Sequence, residues 1–145
     1  MKIEYKINTA SEFMLIGHLT HCNDGFKPPL NTKVSIEAYG KKILENGIVF
    51  EAWGGNVLIG MVAMYVNENN EGYITNVSVY SEYRGKGIAG QIFYNLLAYS
   101  EENNISSIKL EVNASNVLAI SLYKKFGFKS IDEKNNQIIM LKKTN

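Results

Sequence analysis

Residues 84–90 read Arg-Gly-Lys-Gly-Ile-Ala-Gly, and this is the most informative stretch of the sequence. It follows a predicted strand over residues 73–80 and opens a predicted helix. Glycines at such a junction let backbone N–H groups approach a ligand without obstruction by a Cβ atom. The first turn of a helix adds unpaired N–H groups and the positive end of the helix dipole. Together with the charges of Arg84 and Lys86, the stretch predicts a binding site for a phosphorylated small molecule.

The sequence before this glycine loop predicts a strand, two helices and three further strands. Residues 2–8 alternate polar and apolar side chains, as a strand with one buried face does. A capping box from Thr9 to Glu12 predicts the start of the first helix, and apolar residues between Ile36 and Leu44 at helical spacing predict the second. Short Gly/Asn-rich connections then indicate an antiparallel meander. Its strands are predicted over residues 48–53, 57–66 and 73–80.

The sequence after the loop predicts two more helices and three more strands. The elements are a helix from Gly87 to about Asn103, a strand over residues 108–112, a helix capped by Asn116 and ending at Gly127, and a hairpin over residues 128–131 and 137–141. The resulting order is β-α-α-β-β-β-α-β-α-β-β. It predicts an α/β fold whose mixed sheet is covered by helices on both faces.

The composition is that of an ordinary globular domain, and residues 1–145 are expected to form a single domain. Fifteen basic and fourteen acidic residues leave a formal net charge of +1, which argues against a dedicated nucleic-acid-binding protein. The single cysteine, Cys22, cannot form an internal disulfide. No cluster of metal-ligand spacing is present, so no metal is implied. No apolar run approaches the roughly 20 residues of a membrane span, and a cytoplasmic protein without membrane contact is expected.

Two other interpretations of the glycine loop fit poorly. Gly85, Gly87 and Gly90 match the dinucleotide-binding pattern G-x-G-x-x-G, and Glu111 follows about 20 residues later, where a ribose-binding acid is expected. In that fold, however, the first glycine directly follows the first strand of a doubly wound sheet, whereas several predicted strands precede it here. A P-loop needs a Ser or Thr after its lysine, and Lys86 is followed by glycine.

A third interpretation accounts for more of the chain. Residues 84–89 have the pattern R-x-x-G-x-A, which resembles the acetyl-CoA pyrophosphate loop of the GNAT superfamily of N-acetyltransferases. Residues 113–128 read Asn-Ala-Ser-Asn-Val-Leu-Ala-Ile-Ser-Leu-Tyr-Lys-Lys-Phe-Gly-Phe and resemble that family's second cofactor segment, N-x-x-N-x-x-A-x-x-L-Y-x-x-x-G-F. The two segments occur in the family's order, separated by one helix and one strand. The resemblance implies a GNAT-like fold and an acetyl-CoA-dependent N-acetyltransferase.

The resemblance also implies which residues contact acetyl-CoA (coenzyme A). In the family, the strand before the glycine loop diverges from its neighbour and offers backbone groups to the pantetheine arm and the thioester. The implied contacts are Val77, Ser78, Val79, Arg84, Gly85, Lys86, Gly87, Ile88, Ala89 and Asn116. Tyr123 matches the tyrosine that often protonates the leaving thiolate, a role that suits a phenol with an ordinary pKa near 10. Without these roles, Tyr123 is a core aromatic residue and Asn116 a helix cap.

In the family, the first two helices, their connecting loop and the meander line the acceptor pocket. The implied acceptor contacts are Phe26, Tyr39, Trp53, Asn76 and Tyr80. Such a mixed aromatic and polar pocket suits a primary amine of a small molecule, an amino sugar or a peptide. Asp24 or Glu51 could pair with a cationic amine.

The general base stays open at this stage. Many family members use a glutamate on the strand before the glycine loop, but residues 74–80 contain no acidic side chain. Glu71 and Glu111 lie before and beyond that strand, His18 and His21 could titrate near neutral pH, and a base supplied by water is equally compatible.

The sequence therefore predicts direct transfer of an acetyl group to a primary amine in a ternary complex. The alternative is a non-catalytic CoA-binding sensor or scaffold module. The absence of an acidic residue from the strand before the glycine loop favours this alternative, and the presence of Tyr123 disfavours it. A homodimer is left open.

Overall fold

The computed structural model describes residues 2–26 and 28–144, which contain seven strands and four α-helices. The strands are β1 (Ile3–Ile7), β2 (Gly47–Gly54), β3 (Val57–Val66), β4 (Glu71–Val79), β5 (Ser107–Asn113), β6 (Lys129–Lys134) and β7 (Gln137–Lys143). The helices are α1 (Glu12–Cys22), α2 (Ile36–Asn46), α3 (Ile88–Glu102) and α4 (Val117–Lys125). This element order confirms the predicted order. No helix of the described residues is both long and apolar enough to cross a membrane.

The seven strands form one mixed sheet in the order β1-β2-β3-β4-β5-β7-β6. Strands β1 to β4 are antiparallel neighbours, and the short Gly/Asn-rich connections predict this for β2, β3 and β4. Strands β4 and β5 are parallel, and helix α3 forms the long crossover that a parallel connection requires. Strands β5, β7 and β6 are again antiparallel. The parallel pair is thus flanked by two antiparallel sets.

Helices cover the sheet on both faces, which confirms the predicted α/β fold class. Along β2, Val49 packs with Leu19 of α1 and Ile43 of α2, whereas the next residue, Phe50, packs with Phe93 of α3. Because successive side chains of a strand point to opposite faces, α1 and α2 lie on one face and α3 on the other. Helix α4 also packs on the α3 side, where its Tyr123 belongs to the same buried cluster as Phe50 and Phe93. We call the two sides the α1/α2 face and the α3/α4 face.

A buried carboxylate fixes the chain ahead of α1. Glu51 is 1% exposed and accepts hydrogen bonds from the Thr9 backbone N–H, the Thr9 hydroxyl, the Ala10 N–H and the Trp53 indole N–H. A buried carboxylate requires such donors, so Thr9 is not available as a helix cap. The predicted capping box is therefore wrong at Thr9, because Ser11 accepts from the Met14 N–H and caps the helix instead.

We expect Glu51→Gln to lower the free energy of unfolding by roughly 1–3 kcal/mol. The amide keeps one oxygen acceptor and turns an NH₂ donor toward groups that are themselves donors. Urea denaturation monitored by circular dichroism measures the loss. Glu45→Gln is the matched control because it removes the same charge from an exposed site on α2. Equal stability of the two variants would contradict the role given to Glu51.

Candidate active site

The parallel strands β4 and β5 diverge partway along their length. Their pairing ends where Ile74 lies opposite Leu110. Beyond that point β4 stays paired with β3, and β5 stays paired with β7. We call the space between residues 75–79 of β4 and 111–113 of β5 the wedge. One edge of each strand therefore lacks a strand partner there.

The alternation of an antiparallel ladder determines which backbone groups face the wedge. Tyr80 donates its N–H to the Ile59 carbonyl of β3 at 2.8 Å. Residues of a strand bond alternately to either side, so Ser78 also bonds toward β3. The N–H and C=O groups of Val77 and Val79 then point away from β3 and into the wedge. These are the two backbone positions for which the sequence predicts contacts with the pantetheine arm.

The glycine loop has the open backbone that an anionic ligand needs. Gly85 and Gly87 have φ angles of 78° and 77°, and an added Cβ at either position would meet no atom within 4 Å. Gly87 caps α3, and its carbonyl accepts the first helical hydrogen bond from Gln91. The N–H groups of the first helical turn therefore have no partner within the helix. This arrangement fits a pyrophosphate, as residues 84–89 predict.

Tyr123 lies on the α3/α4 face. It is 5% exposed, and its ring centroid lies 5.4 Å from that of Phe93 and 6.1 Å from that of Phe128. Burial raises the pKa of Tyr123 to about 12, so the phenol stays protonated at neutral pH and can act only as a proton donor. Asn116 at the start of the same helix accepts from the Ala119 N–H at 3.3 Å. Asn116 is thus a helix cap, and its amide NH₂ remains a candidate for a cofactor contact.

A β-bulge at Thr75 changes which face β4 presents. Ile74 packs in the α3/α4 cluster, whereas Asn76, two residues later, lies on the α1/α2 face with Ser78. The strand therefore supplies polar side chains to the α1/α2 face beside the wedge. Tyr39 of α2 reaches this point, where its hydroxyl lies 2.7 Å from the Thr75 carbonyl and 2.8 Å from the Thr75 hydroxyl.

Glu111 is the first residue of β5 beyond the last pair with β4. Its neighbours Leu110 and Val112 pack in the α3/α4 cluster, so the exposed Glu111 side chain points to the α1/α2 face. Burial is the main cause that raises the pKa of Tyr73, and the negative charge of nearby Glu111 is the next largest. A carboxylate thus lies where the wedge begins, on the face opposite Tyr123.

His18 is buried beneath β4. Its Nδ1 lies 2.7 Å from the Leu58 carbonyl, and its Nε2 lies 2.8 Å from the Ser78 hydroxyl. A carbonyl can only accept, so Nδ1 carries the proton of the neutral ring. Ser78 also contacts the Asn76 amide oxygen at 2.8 Å. Burial lowers the pKa of His18 to about 4, so His18 holds β4 in place as a neutral ring and is not a base that solvent can reach.

Two of the five residues predicted to bind the acceptor, Tyr39 and Asn76, lie beside the wedge, and the side chains of Trp53 and Tyr80 have partners elsewhere. Tyr39 and Asn76 are neighbours at the bulge. Trp53 is 6% exposed, and its indole N–H is bound to Glu51. Tyr80 follows β4 and stacks on His21, with ring centroids 3.7 Å apart. The fifth residue, Phe26, is half-buried just after α1 and packs against the α1/α2 cluster.

Comparison with known proteins agrees with this geometry. The profile of the acetyltransferase (GNAT) family matches residues 19–128. The chain is 33% identical over 128 residues to the probable N-acetyltransferase san of Drosophila melanogaster, covering 82% of this chain and 70% of that protein. It is 36% identical over 83 residues to N-acetylaspartate synthetase of Xenopus tropicalis, covering 57% of this chain and 31% of that protein.

Two further similarities concern a named acceptor and the fold. A putative [ribosomal protein bS18]-alanine N-acetyltransferase of Bacillus subtilis (strain 168) is 36% identical over 58 residues, or 40% of this chain and 38% of that protein. Apart from the Drosophila protein, the chain therefore spans less than half the length of these relatives. The crystal structure of the PaiA N-acetyltransferase from Thermoplasma acidophilum in complex with coenzyme A has a TM-score of 0.80 at 22% identity, covering 99% of both chains. This likeness shows the fold.

We expect His18 to make the stability of the protein depend on pH. An unfolded histidine takes up its proton near pH 6.5, whereas folded His18 does so only near pH 4. The unfolded state thus binds more protons between these values, and stability falls as the pH is lowered, by up to about 1.4 kcal/mol per pH unit from this group. Urea unfolding at several pH values should show a shallower slope for His18→Gln than for the parent. An unchanged slope for His18→Gln would contradict the prediction.

We expect Gly87→Glu to abolish acetyl-CoA binding, because the carboxylate would repel a pyrophosphate at the start of α3. Isothermal titration calorimetry compares it with the parent, for which binding on the order of −8 kcal/mol, a micromolar dissociation constant, is expected. Gly55→Glu is the matched control, because Gly55 also has a positive φ, 62°, and open space for a Cβ, but lies in the β2–β3 turn. Unchanged binding by Gly87→Glu would exclude the loop as the pyrophosphate site. Equal loss in both variants would indicate a general effect of strain.

Proposed function

We propose that this chain, which belongs to the acetyltransferase (GNAT) family and is an acetyl-CoA-dependent N-acetyltransferase, acetylates the α-amino group of an amino acid or of a peptide's first residue. Transfer is direct, within a ternary complex. The observation that supports this mechanism best is the divergence of β4 and β5 after Ile74 and Leu110, with a proton donor on one face and a carboxylate on the other. The cofactor residues predicted from the sequence remain part of the proposal, apart from the side chain of Arg84, whose surroundings are described below.

The names of the relatives support an α-amino acceptor. One relative is named for the alanine of a ribosomal protein, and another for the synthesis of N-acetylaspartate. Alanine and aspartate have no side-chain nitrogen, so the acetylated nitrogen in both names is an α-amino group. In such an acceptor, the Cα that bears the amine also bears a carboxylate or an amide carbonyl group. The polar groups of Tyr39, Thr75 and Asn76 beside the wedge are suited to recognise this second polar group.

Backbone groups hold the donor in this proposal. Acetyl-CoA supplies the acetyl group as a thioester. The free N–H groups of Val77 and Val79 bind the pantetheine arm and stabilise negative charge on the thioester oxygen, as aligned backbone donors do. The glycine loop and the first turn of α3 bind the pyrophosphate. In this proposal the amine approaches the wedge from the α1/α2 face, and the thiolate is protonated from the α3/α4 face.

In this proposal Glu111 accepts a proton on one face of the sheet, and Tyr123 donates a proton on the other. An amine is nucleophilic only when neutral, so a base must take its proton, directly or through a water molecule. Glu111 is suited to this role because it is an exposed carboxylate on the α1/α2 face where the wedge begins. On the α3/α4 face, Tyr123 donates its proton to the leaving thiolate, because its raised pKa keeps it protonated until then.

We expect the parent protein to acetylate short peptides with a free N-terminus, and not the same peptides when they are N-terminally blocked but contain a lysine. Mass spectrometry identifies the modified nitrogen. Glu111→Gln and Tyr123→Phe should each lower kcat by roughly a hundredfold or more, and both should keep the parent affinity for acetyl-CoA. Glu71→Gln is the control, because it removes a carboxylate at the far end of β4 and should leave kcat unchanged.

Several outcomes would contradict parts of this proposal. Acetylation of blocked peptides on lysine would exclude α-amino selectivity. Full activity of Glu111→Gln would exclude that residue as the base. A parent protein that binds acetyl-CoA but acetylates no amine would favour the non-catalytic CoA-binding module.

A further inference from the structure

The side chain of Arg84 lies against the end of α1. Its guanidinium Nη2 is 3.0 Å from the place where a Cβ on Gly25 would stand. Gly25 belongs to the 3-10 turn Asn23–Gly25 that follows α1. Arg84 also acts on the pKa of Cys22, the last residue of α1, where it is the largest influence opposing burial. These two observations place a cation at the C-terminal end of α1, where the helix dipole favours positive charge.

Two neighbours of Arg84 reach the same part of the chain. Tyr80 stacks on His21 with an interplanar angle of 21°, and the Glu82 carboxylate lies 3.2 Å from His21 Nε2. Every second residue from Tyr80 to Arg84 thus contacts the last turn of α1 or the 3-10 turn after it. The segment between β4 and the glycine loop holds the end of α1 through a stacked ring, an ion pair and a guanidinium contact.

Lys86, the other cation of the glycine loop, is placed differently. Its Nζ lies 5.8 Å from the centroid of the ring of Tyr83, in the 3-10 turn just before the loop, although Lys86 and Arg84 are both exposed. A long, flexible ammonium at this place is free to reach a phosphate. The two cations therefore have different surroundings although they are two residues apart.

We propose that Arg84 is a positioning residue for the acceptor, which holds the turn Asn23–Gly25 and the following Phe26 in place on the α1/α2 face. This proposal rests on the proposed function. Phe26 packs against the α1/α2 cluster on the acceptor side, and the Asn23 side chain accepts from the Asn31 N–H at 2.8 Å, so the segment is braced on both sides. Arg84 adds a link from this segment to the donor loop. The pyrophosphate is then bound by backbone N–H groups and Lys86.

Two loop variants separate the roles of the two cations. Arg84→Gln should raise the KM of a free-N-terminus peptide by about tenfold, because the turn Asn23–Gly25 is then held less firmly, while the dissociation constant of acetyl-CoA stays near that of the parent. Lys86→Gln should do the reverse, with weaker acetyl-CoA binding and an unchanged peptide KM. Steady-state kinetics at saturating acetyl-CoA and calorimetry with acetyl-CoA measure the two quantities.

A third variant tests the contact from its other side. Gly25→Ala places a methyl group 3.0 Å from Arg84 Nη2, and the flexible guanidinium must move away. This variant should raise the peptide KM without altering acetyl-CoA binding. The double variant Gly25→Ala with Arg84→Gln should be no worse than Arg84→Gln alone, because both remove one contact.

The outcomes distinguish this inference from the function on which it rests. If Arg84→Gln mainly weakens acetyl-CoA binding, Arg84 is a pyrophosphate ligand and the inference is overturned while the enzyme stands. Additive effects of Gly25→Ala and Arg84→Gln would also overturn it. If the parent acetylates no peptide and no amino acid, the proposed function itself fails. A circular dichroism melt of each variant shows whether a raised KM is merely partial unfolding.

Discussion

The end of hydrogen bonding between β4 and β5 is the constraint on which the rest of the structure depends. Two parallel strands that stayed paired along their whole length would form a closed sheet with no room for a ligand. They separate after Ile74 and Leu110 because each strand is held by its other neighbour, β3 or β7. Both neighbours are antiparallel and stay paired over this region, apart from the bulge at Thr75. The divergence is thus fixed by two stable ladders, and it leaves the free backbone donors of Val77 and Val79 in a rigid frame.

Buried polar groups keep that frame in place from the α1/α2 face. Glu51 accepts hydrogen bonds from four donors, three in the residues just before α1 and one in β2. His18 joins α1 to the Leu58 carbonyl of β3 and to Ser78 of β4. Each is 1% exposed, and such groups stabilise only when their partners are in place. They determine the position of α1, and through it the segment that carries Phe26.

The sequence was sufficient to predict the element order, because alternation, helical spacing and turn residues are local signals. It predicted the helix cap at Asn116 and the glycine loop for the same reason. It failed at Thr9, where a carboxylate 42 residues away takes the hydroxyl that the local pattern assigns to a cap. The sequence also did not predict the bulge at Thr75. Without that bulge, strict alternation places Ile74 and Asn76 on one face, and the structure places them on opposite faces.

Glu111 shows why the candidate site could be predicted only in part. The sequence predicts that Glu111 lies in β5. Its importance, however, depends on which strand lies beside β5 and on where the pairing of the two strands ends. Both are properties of tertiary structure. Arg84 is the opposite case, since the motif directs attention to the cofactor while the folded chain places the guanidinium at α1. Backbone contacts follow from the fold, whereas the direction of a long side chain depends on neighbours far along the chain.

With acetyl-CoA bound in the wedge, as proposed, the unpaired strand edges would link this enzyme's folding to its metabolite supply. Strand edges without a partner make no ladder bonds, and a ligand that occupies the wedge binds the folded chain and not the unfolded one. By mass action, a ligand at a hundred times its dissociation constant adds about 2.7 kcal/mol to the free energy of unfolding. The lifetime of the chain in a cell would then rise and fall with the acetyl-CoA level. A geometry that serves group transfer would thereby also couple the abundance of the protein to the nutritional state of the cell.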